Sequence, residues 1–257
     1  LIKFGAVAEP WWRDRPVLLV GTGRSLCGFD FTRLRGLGTV VAVKESILDL
    51  PFADACFGLD LHWMKRRHDL LADIARRMEV YLATVEHQEN IQQTPIDGVT
   101  YLRRLRSGGL SLDPYYIQSG GTSGYGALNL AVLKRAREIV LFGFDYTSDH
   151  YCHERYPGQS TAHNSAHWPK WAECFRDVLP TLSKLGVNVI NASPTSNLTV
   201  FKRFSLEEVV QHLDRLRSER DRRVCGGQAV DHPAPDLTGA DHGADAPASS
   251  GHRALHA

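Results

Sequence analysis

The sequence predicts an α/β fold built on a mainly parallel sheet. Short, continuous apolar runs at residues 17–20, 39–43, 80–84 and 138–144 have the pattern of strands buried on both faces. Segments of helical period alternate with them, as parallel crossover connections require. Two turns, Gly21-Thr22-Gly23 and Gly120-Gly121-Thr122-Ser123-Gly124, combine glycine and hydroxyls directly beside an apolar element. In such sheets, ligands sit at the carboxyl ends of the strands.

Taken in order, residues 1–15 form an N-terminal leader whose Trp11-Trp12 pair packs over the edge of the sheet. The strand at 17–20 exits through Gly21-Thr22-Gly23-Arg24-Ser25-Leu26, and residues 29–34 make a short helical or turn segment. The strand at 39–43 closes on Lys44-Glu45-Ser46, and a third, at 53–60, carries Asp60 at its end. Leu61, Met64, His68, Leu71, Ile74 and Ala75 share one stripe of a helix over 61–77. After the strand at 80–84, residues 85–118 show little periodicity and are punctuated by Pro95, Gly98, Gly108, Gly109 and Pro114, which reads as an irregular lid.

A helix over 122–136 then leads into the strand 138–144, which delivers Asp145 and Tyr146. Residues 146–167 are polar and hold His150, His153, His163 and His167. A helix over 165–185 buries Trp168, Trp171, Phe175, Val178, Leu179 and Leu182, with Pro180 kinking it or ending it early. Gly186 leads into a strand at 187–191, and a last helix over 205–217 starts at a Ser205 cap. From about Arg220 the composition shifts to Gly, Ala, Asp, His, Pro and Ser, so 220–257 is expected to be a disordered tail. Residues 16–219 remain as one domain.

The bulk properties exclude several classes. With 257 residues, 43% hydrophobic and 23% charged, the chain has enough apolar surface for a full core. A formal net charge of +1 argues against a nucleic-acid binder held by phosphate contacts. The five cysteines are scattered and form no CxxC, which suits a reducing compartment rather than a disulfide framework. No apolar run approaches the roughly 18 residues of a membrane span. The opening Leu1-Ile2-Lys3 is not a signal peptide, so the expected location is cytoplasmic.

The chemistry-bearing residues fall into four groups. Gly21-x-Gly23 lacks the third glycine of a dinucleotide fingerprint, since Leu26 stands there, and no Gly-Lys-Ser/Thr follows to make a P-loop. Its small residues let a phosphate or nucleoside approach the backbone, or simply serve a tight strand exit. Thr122-Ser123-Gly124 opens an apolar helix, where a capping hydroxyl and free N–H groups can also hold an anion. Asp145 and Asp60 are strand-end carboxylates, able to act on a ligand or to cap a loop. Of the clustered histidines, one can act as general base; His150-x-x-His153 and His163-x-x-x-His167 are spaced for metal binding, but no Cys or carboxylate completes a ligand set. Tyr146 and Tyr151, with His150 and His153, can form a platform for donor or acceptor.

Two segments together resemble a known family. The run from Gly21-Thr22-Gly23-Arg24-Ser25-Leu26 to Asp30-Phe31-Thr32-Arg33-Leu34 resembles the opening motif of the lipooligosaccharide sialyltransferases, glycosyltransferase family 42. Thr122-Ser123-Gly124 through Gly143-Phe144-Asp145 is similar to that family's Thr-Ser-Gly and Gly-Ile-Asp motifs, at similar spacing. The two signatures are shared with uncharacterised, often phage-encoded proteins and, in related form, with archaeal-type 6-hydroxymethyl-dihydropterin diphosphokinases. Asn191-Ala192-Ser193-Pro194-Thr195-Ser196-Asn197-Leu198 looks like the closing segment of this broader group.

The resemblance implies a modified Rossmann-like domain holding a nucleotide between the first glycine loop and the Thr-Ser-Gly turn. Gly21, Thr22, Gly23, Ser25, Lys44, Asp60, Thr122, Ser123 and Gly124 would line the nucleotide site. A histidine, His163 or His167, would be the base on an acceptor hydroxyl. Two family asparagines are replaced here, by Thr22 and Lys44, and Lys44 is able to meet a phosphate directly. The expected activity is transfer from a nucleotide-sugar donor to an acceptor hydroxyl, with no cofactor and no metal. The alternatives are a Mg-ATP diphosphokinase-like transferase, with Asp145 or Asp60 holding Mg²⁺, and a nucleotide-binding protein without turnover. Homo-oligomerisation is compatible with all three readings.

Overall fold

A computed structural model describes residues 2–59, 61–84, 95–147 and 167–225. Their strands form one nine-stranded sheet in the order β6-β5-β4-β3-β2-β1-β7-β8-β9, and every pairing is parallel. The strands are β1 (Val17–Val20), β2 (Thr39–Val43), β3 (Ala55–Gly58), β4 (Glu79–Thr84), β5 (Val99–Leu105), β6 (Tyr116–Gln118), β7 (Glu138–Phe142), β8 (Asn188–Asn191) and β9 (Lys202–Arg203). The first six are laid down outward from β1, after which the chain crosses back to β1's other side. Neighbours β1 and β7 therefore leave in opposite directions, which makes their carboxyl ends the switch point of the sheet.

The apolar runs behave as their pattern requires. Val17 and Leu19 enter the core on one face of the sheet, and Leu18 and Val20 enter the other. The first face is covered by α3 (Ser123–Leu133), α4 (Trp168–Cys174) and α5 (Leu179–Leu185). The second is covered by α1 (Leu61–Arg66), α2 (His68–Ile74) and α6 (Leu206–Cys225). All of α3 from Tyr125 to Leu133 is buried, as expected for a helix apolar all round. No helix among the described residues is long and apolar enough to cross a membrane.

Several local expectations are revised. The segment 85–118 is not wholly irregular: it supplies β5 and β6, and residues 85–94 lie outside the described residues. Its 106–112 stretch folds back over α3. Tyr125 donates its hydroxyl proton to the Gly109 carbonyl, and the buried Asn129 amide exchanges hydrogen bonds with Ser111 and accepts from Gln118 N. The helix over 61–77 is two short helices. Pro180 does stop the helix over 165–185: α4 gives way to a 3-10 turn at Phe175–Val178, and Pro180 sits in the first turn of α5. The last helix runs past 217 to Cys225, into the region read as tail; residues 226–257 lie outside the described residues. Its Ser205 cap is present, with Ser205 and Glu208 capping each other's backbone N–H.

The N-terminal arm lies along the sheet as well as over it. Phe4 bridges to Tyr101, so the arm continues β6 along the outer side of β5. Trp12 is buried against Tyr81, and its indole N–H donates to Glu79.

Candidate functional site at the switch point

The exits of β1 and β7 are locked together. Gly21 N donates to the Phe142 carbonyl at 2.8 Å and Gly23 N to the Gly143 carbonyl at 3.0 Å, which continues the ladder past both strands. A Cβ on Gly23 would stand 2.5 Å from the Gly143 oxygen and 2.6 Å from Asp145 Cγ, so only glycine fits. Asp145 clamps the same loop. It accepts from Ser25 N at 2.7 Å, from the Ser25 hydroxyl at 2.6 Å and from the Ser193 hydroxyl at 2.8 Å, and is 6% exposed. These three donors make Asp145 a staple that joins the ends of β1, β7 and β8.

The segment after β7 has a second side, facing α3. Thr122 caps the helix by accepting from Tyr125 N, and its hydroxyl shares a 3.0 Å hydrogen bond with the Tyr146 hydroxyl. Gly124 packs so tightly that a Cβ there would lie 2.7 Å from the Phe144 ring and 2.9 Å from the Tyr146 oxygen. Gly143 to Tyr146 is thus a shared wall, with the Gly21–Ser25 loop on one side and the Thr122–Gly124 turn on the other. The N–H groups of Ser123 and Gly124, in the first turn of an 11-residue helix, have no partner within that helix. The positive end of the helix dipole reinforces them as anion donors.

Around this wall the other predicted residues fall as follows. Lys44 follows β2, the strand beside β1, and the Ser46 hydroxyl donates to the Val20 carbonyl and so ties the two exits together. Lys44 has φ 58 and Tyr146 φ 51, left-handed values that non-glycine residues adopt rarely and that concentrate at functional sites. Next to Lys44, the buried Glu45 is gripped by the Arg67 guanidinium at 3.0 to 3.3 Å. Burial, with Glu45 adding to it, pushes the neighbouring Cys56 thiol up to about 12, so it is inert as a nucleophile near neutral pH.

His167 stands at the N-cap position of α4 without a side-chain cap, exposed to solvent, with its ring stacked on Trp171 at 5.5 Å. Asp60, His150, Tyr151, His153 and His163 lie outside the described residues. Among the described residues, no group of three or more His, Cys, Asp or Glu side chains is placed to hold a metal ion.

Two further parts of the wall's surroundings were given no role there by the sequence reading. The 191–198 segment buttresses the shared wall: besides Ser193, the Ser196 hydroxyl donates to the Phe144 carbonyl at 2.6 Å and the Asn197 amide to the Tyr146 carbonyl at 2.9 Å. The motif resemblance marks these residues, although their role emerges only from the fold. Trp171 was read as core; its indole edge also meets Gly121.

No protein-family model and no curated protein sequence matches the chain. Among solved structures, it is similar to the MAf glycosyltransferase from Magnetospirillum magneticum AMB-1, with a TM-score of 0.50 and 12% identity. The match covers 84% of this chain but only 39% of that protein. At that identity the likeness is one of fold: this chain shares the architecture of part of a glycosyltransferase.

Proposed function

We propose that the chain is a nucleotide-dependent transferase of glycosyltransferase type, moving a sugar from a nucleotide-sugar donor to an acceptor hydroxyl. The observation that carries this reading is the convergence of two turns of small and hydroxyl-bearing residues, Gly21-Thr22-Gly23 and Thr122-Ser123-Gly124, on one wall at the switch point. The sialyltransferase-like order of the motifs and the glycosyltransferase neighbour both support it. In this reading, the glycine loop takes the nucleoside against its backbone. The first-turn N–H groups of α3, with the Ser123 hydroxyl, hold the phosphate, and Lys44 adds positive charge from the β2 exit. These groups stabilise the negative charge that grows on the departing nucleotide phosphate. Ser25 and Asp145 shape the loop and do not touch the ligand.

A histidine of the polar segment takes the proton from the acceptor hydroxyl. His167 stands at the carboxyl edge, and His163 is the other candidate. General base catalysis is typically worth about 10²–10⁴-fold, so replacing the true base by alanine should lower turnover by that factor. CMP, UDP, GDP, ATP and CMP-sialic acid, with and without Mg²⁺, form the ligand panel for a thermal-shift screen. A nucleotide present at ~100 times its dissociation constant stabilises the folded chain by about 2.7 kcal/mol. The expected result is stabilisation by one nucleotide class, with its sugar donor consumed. Absence of any shift across the panel would overturn the reading, and stabilisation by ATP only with Mg²⁺ would favour the diphosphokinase-type alternative.

A further inference from the structure

We propose that Trp171 is a positioning residue, which stacks on the His167 imidazole and, through its own contact with Gly121, ties that ring to the turn that opens α3. The inference rests on the reading of His167 as the base. His167 is exposed at the start of α4, where an unsupported side chain would sample several rotamers. A base must be held in one geometry, and misplacement by ~1 Å can cost about 10²-fold in rate.

Trp171 supplies that restraint. It lies one helical turn after His167, with Trp171 N donating to the His167 carbonyl at 3.0 Å, so both side chains share a face of α4. The two rings stack at 5.5 Å with 25° between their planes.

Trp171 is itself fixed from two directions. Its Nε1 edge abuts Gly121, where a Cβ would stand 2.8 Å from Nε1 and 3.0 Å from Cδ1. Gly121 has φ 87, so both its backbone and its contact with the indole call for glycine. Trp168 packs edge-on against Trp171 at 5.2 Å and against Tyr146 at 6.1 Å, and Tyr146 bonds to the Thr122 hydroxyl. Two chains of contact, one direct and one through Trp168 and Tyr146, thus join the His167 platform to the turn that opens α3. Phosphate site and base are held in register by aromatic packing, although they come from different helices.

The test pairs a spectroscopic readout with kinetics. Ring-proton NMR of His167 is recorded for the wild type, Trp171→Phe, Trp171→Leu and Gly121→Ala, with no ligand present. The wild-type ring protons should be displaced upfield by the indole ring current. Trp171→Leu should return them to the position of a free imidazole, and Trp171→Phe should retain part of the displacement. Gly121→Ala should move them although residue 121 does not touch the histidine.

In donor turnover, with the panel nucleotide sugar that the wild type consumes, Trp171→Leu should lower kcat by about 10²-fold with little change in KM. Trp171→Phe, which keeps a stacking face, should stay within about threefold of wild type. If Trp171→Leu leaves the ring protons in place, or leaves kcat unchanged while His167→Ala abolishes turnover, the positioning role falls and the base reading stands. If His167→Ala turns over donor at the wild-type rate, the base reading falls and the positioning role falls with it.

Discussion

The two edges of the sheet are built from different chemistry. At the amino edge, a buried ammonium is paired and enclosed. The Lys134 ammonium, fully buried, donates to the Ala8 and Pro10 carbonyls and to Glu79, and lies over the rings of Trp12 and Tyr81. Glu79 also accepts from the Tyr81 hydroxyl and the Trp12 indole. Burial pulls the Lys134 pKa down, against which the Glu79 carboxylate favours the charged form. Nearby, His212 meets Glu138 at 2.9 Å, and Asp54 accepts from Val40 N.

At the carboxyl edge, hydroxyls and one carboxylate hold strand exits, Lys44 and Tyr146 are left-handed, and the first-turn N–H groups of α3 have no partner within their helix. A site satisfied by its own side chains has no capacity left for a ligand, whereas one that fixes its backbone and leaves N–H groups open is pre-organised to take one. Under the proposed function, this difference gives stability to one edge and binding to the other.

Substitutions at the two edges should therefore separate stability from ligand affinity. The largest expected loss of stability comes from Glu79→Leu, which leaves the buried Lys134 ammonium without its carboxylate. Breaking such a pair costs about 3–5 kcal/mol, read from the urea midpoint, while nucleotide affinity of the folded fraction should not change. A loss below ~1 kcal/mol would mean that the backbone carbonyls alone satisfy the ammonium.

Gly23→Ala comes next: its Cβ would collide with backbone, and forcing the loops apart should cost about 1–3 kcal/mol. Unlike the first variant, it should also weaken nucleotide binding more than about tenfold, equivalent to 1.4 kcal/mol. An alanine variant that binds like wild type would remove the glycine loop from the site. The smallest effect belongs to Thr122→Ala, which removes a helix cap and should cost about 1 kcal/mol, while Thr122→Ser stays within a few tenths. Equal losses for both would trace the effect to the threonine methyl rather than to the capping oxygen.

The strands were legible because a strand buried on both faces has a local signature, as in Val17-Leu18-Leu19-Val20. The Ser205 cap and the break at Pro180 were legible for the same reason. By contrast, β5 mixes Tyr101 and Leu102 with Arg103 and Arg104, a pattern that neither alternation nor a continuous apolar run reveals. Two of its charges are accommodated by neighbours, Arg103 lying over the rings of Phe4 and Tyr116 and Arg104 donating to Ser119. At the carboxyl edge, the motifs picked out turns that meet there, with Ser25 read as a nucleotide contact and Asp145 as a ligand group or a loop cap. Their engagement with each other spans 120 positions, and no local pattern encodes it.

Lys44 is a different case. The resemblance places an asparagine there, and asparagine is among the residues that best tolerate φ near 58, so the backbone explains the family residue while lysine adds charge.

Amide-resolved NMR during a nucleotide titration tests the assignment of the two edges most directly. CMP, UDP, GDP and ATP would be added in turn while the N–H signals of Thr22, Gly23, Ser123 and Gly124 are followed beside those of Ala8, Trp12 and Lys134. One nucleotide should move the first set saturably and leave the second in place. Saturable movement confined to the amino edge, or no movement at the carboxyl edge with any of the nucleotides, would contradict the placement of the ligand at the switch point.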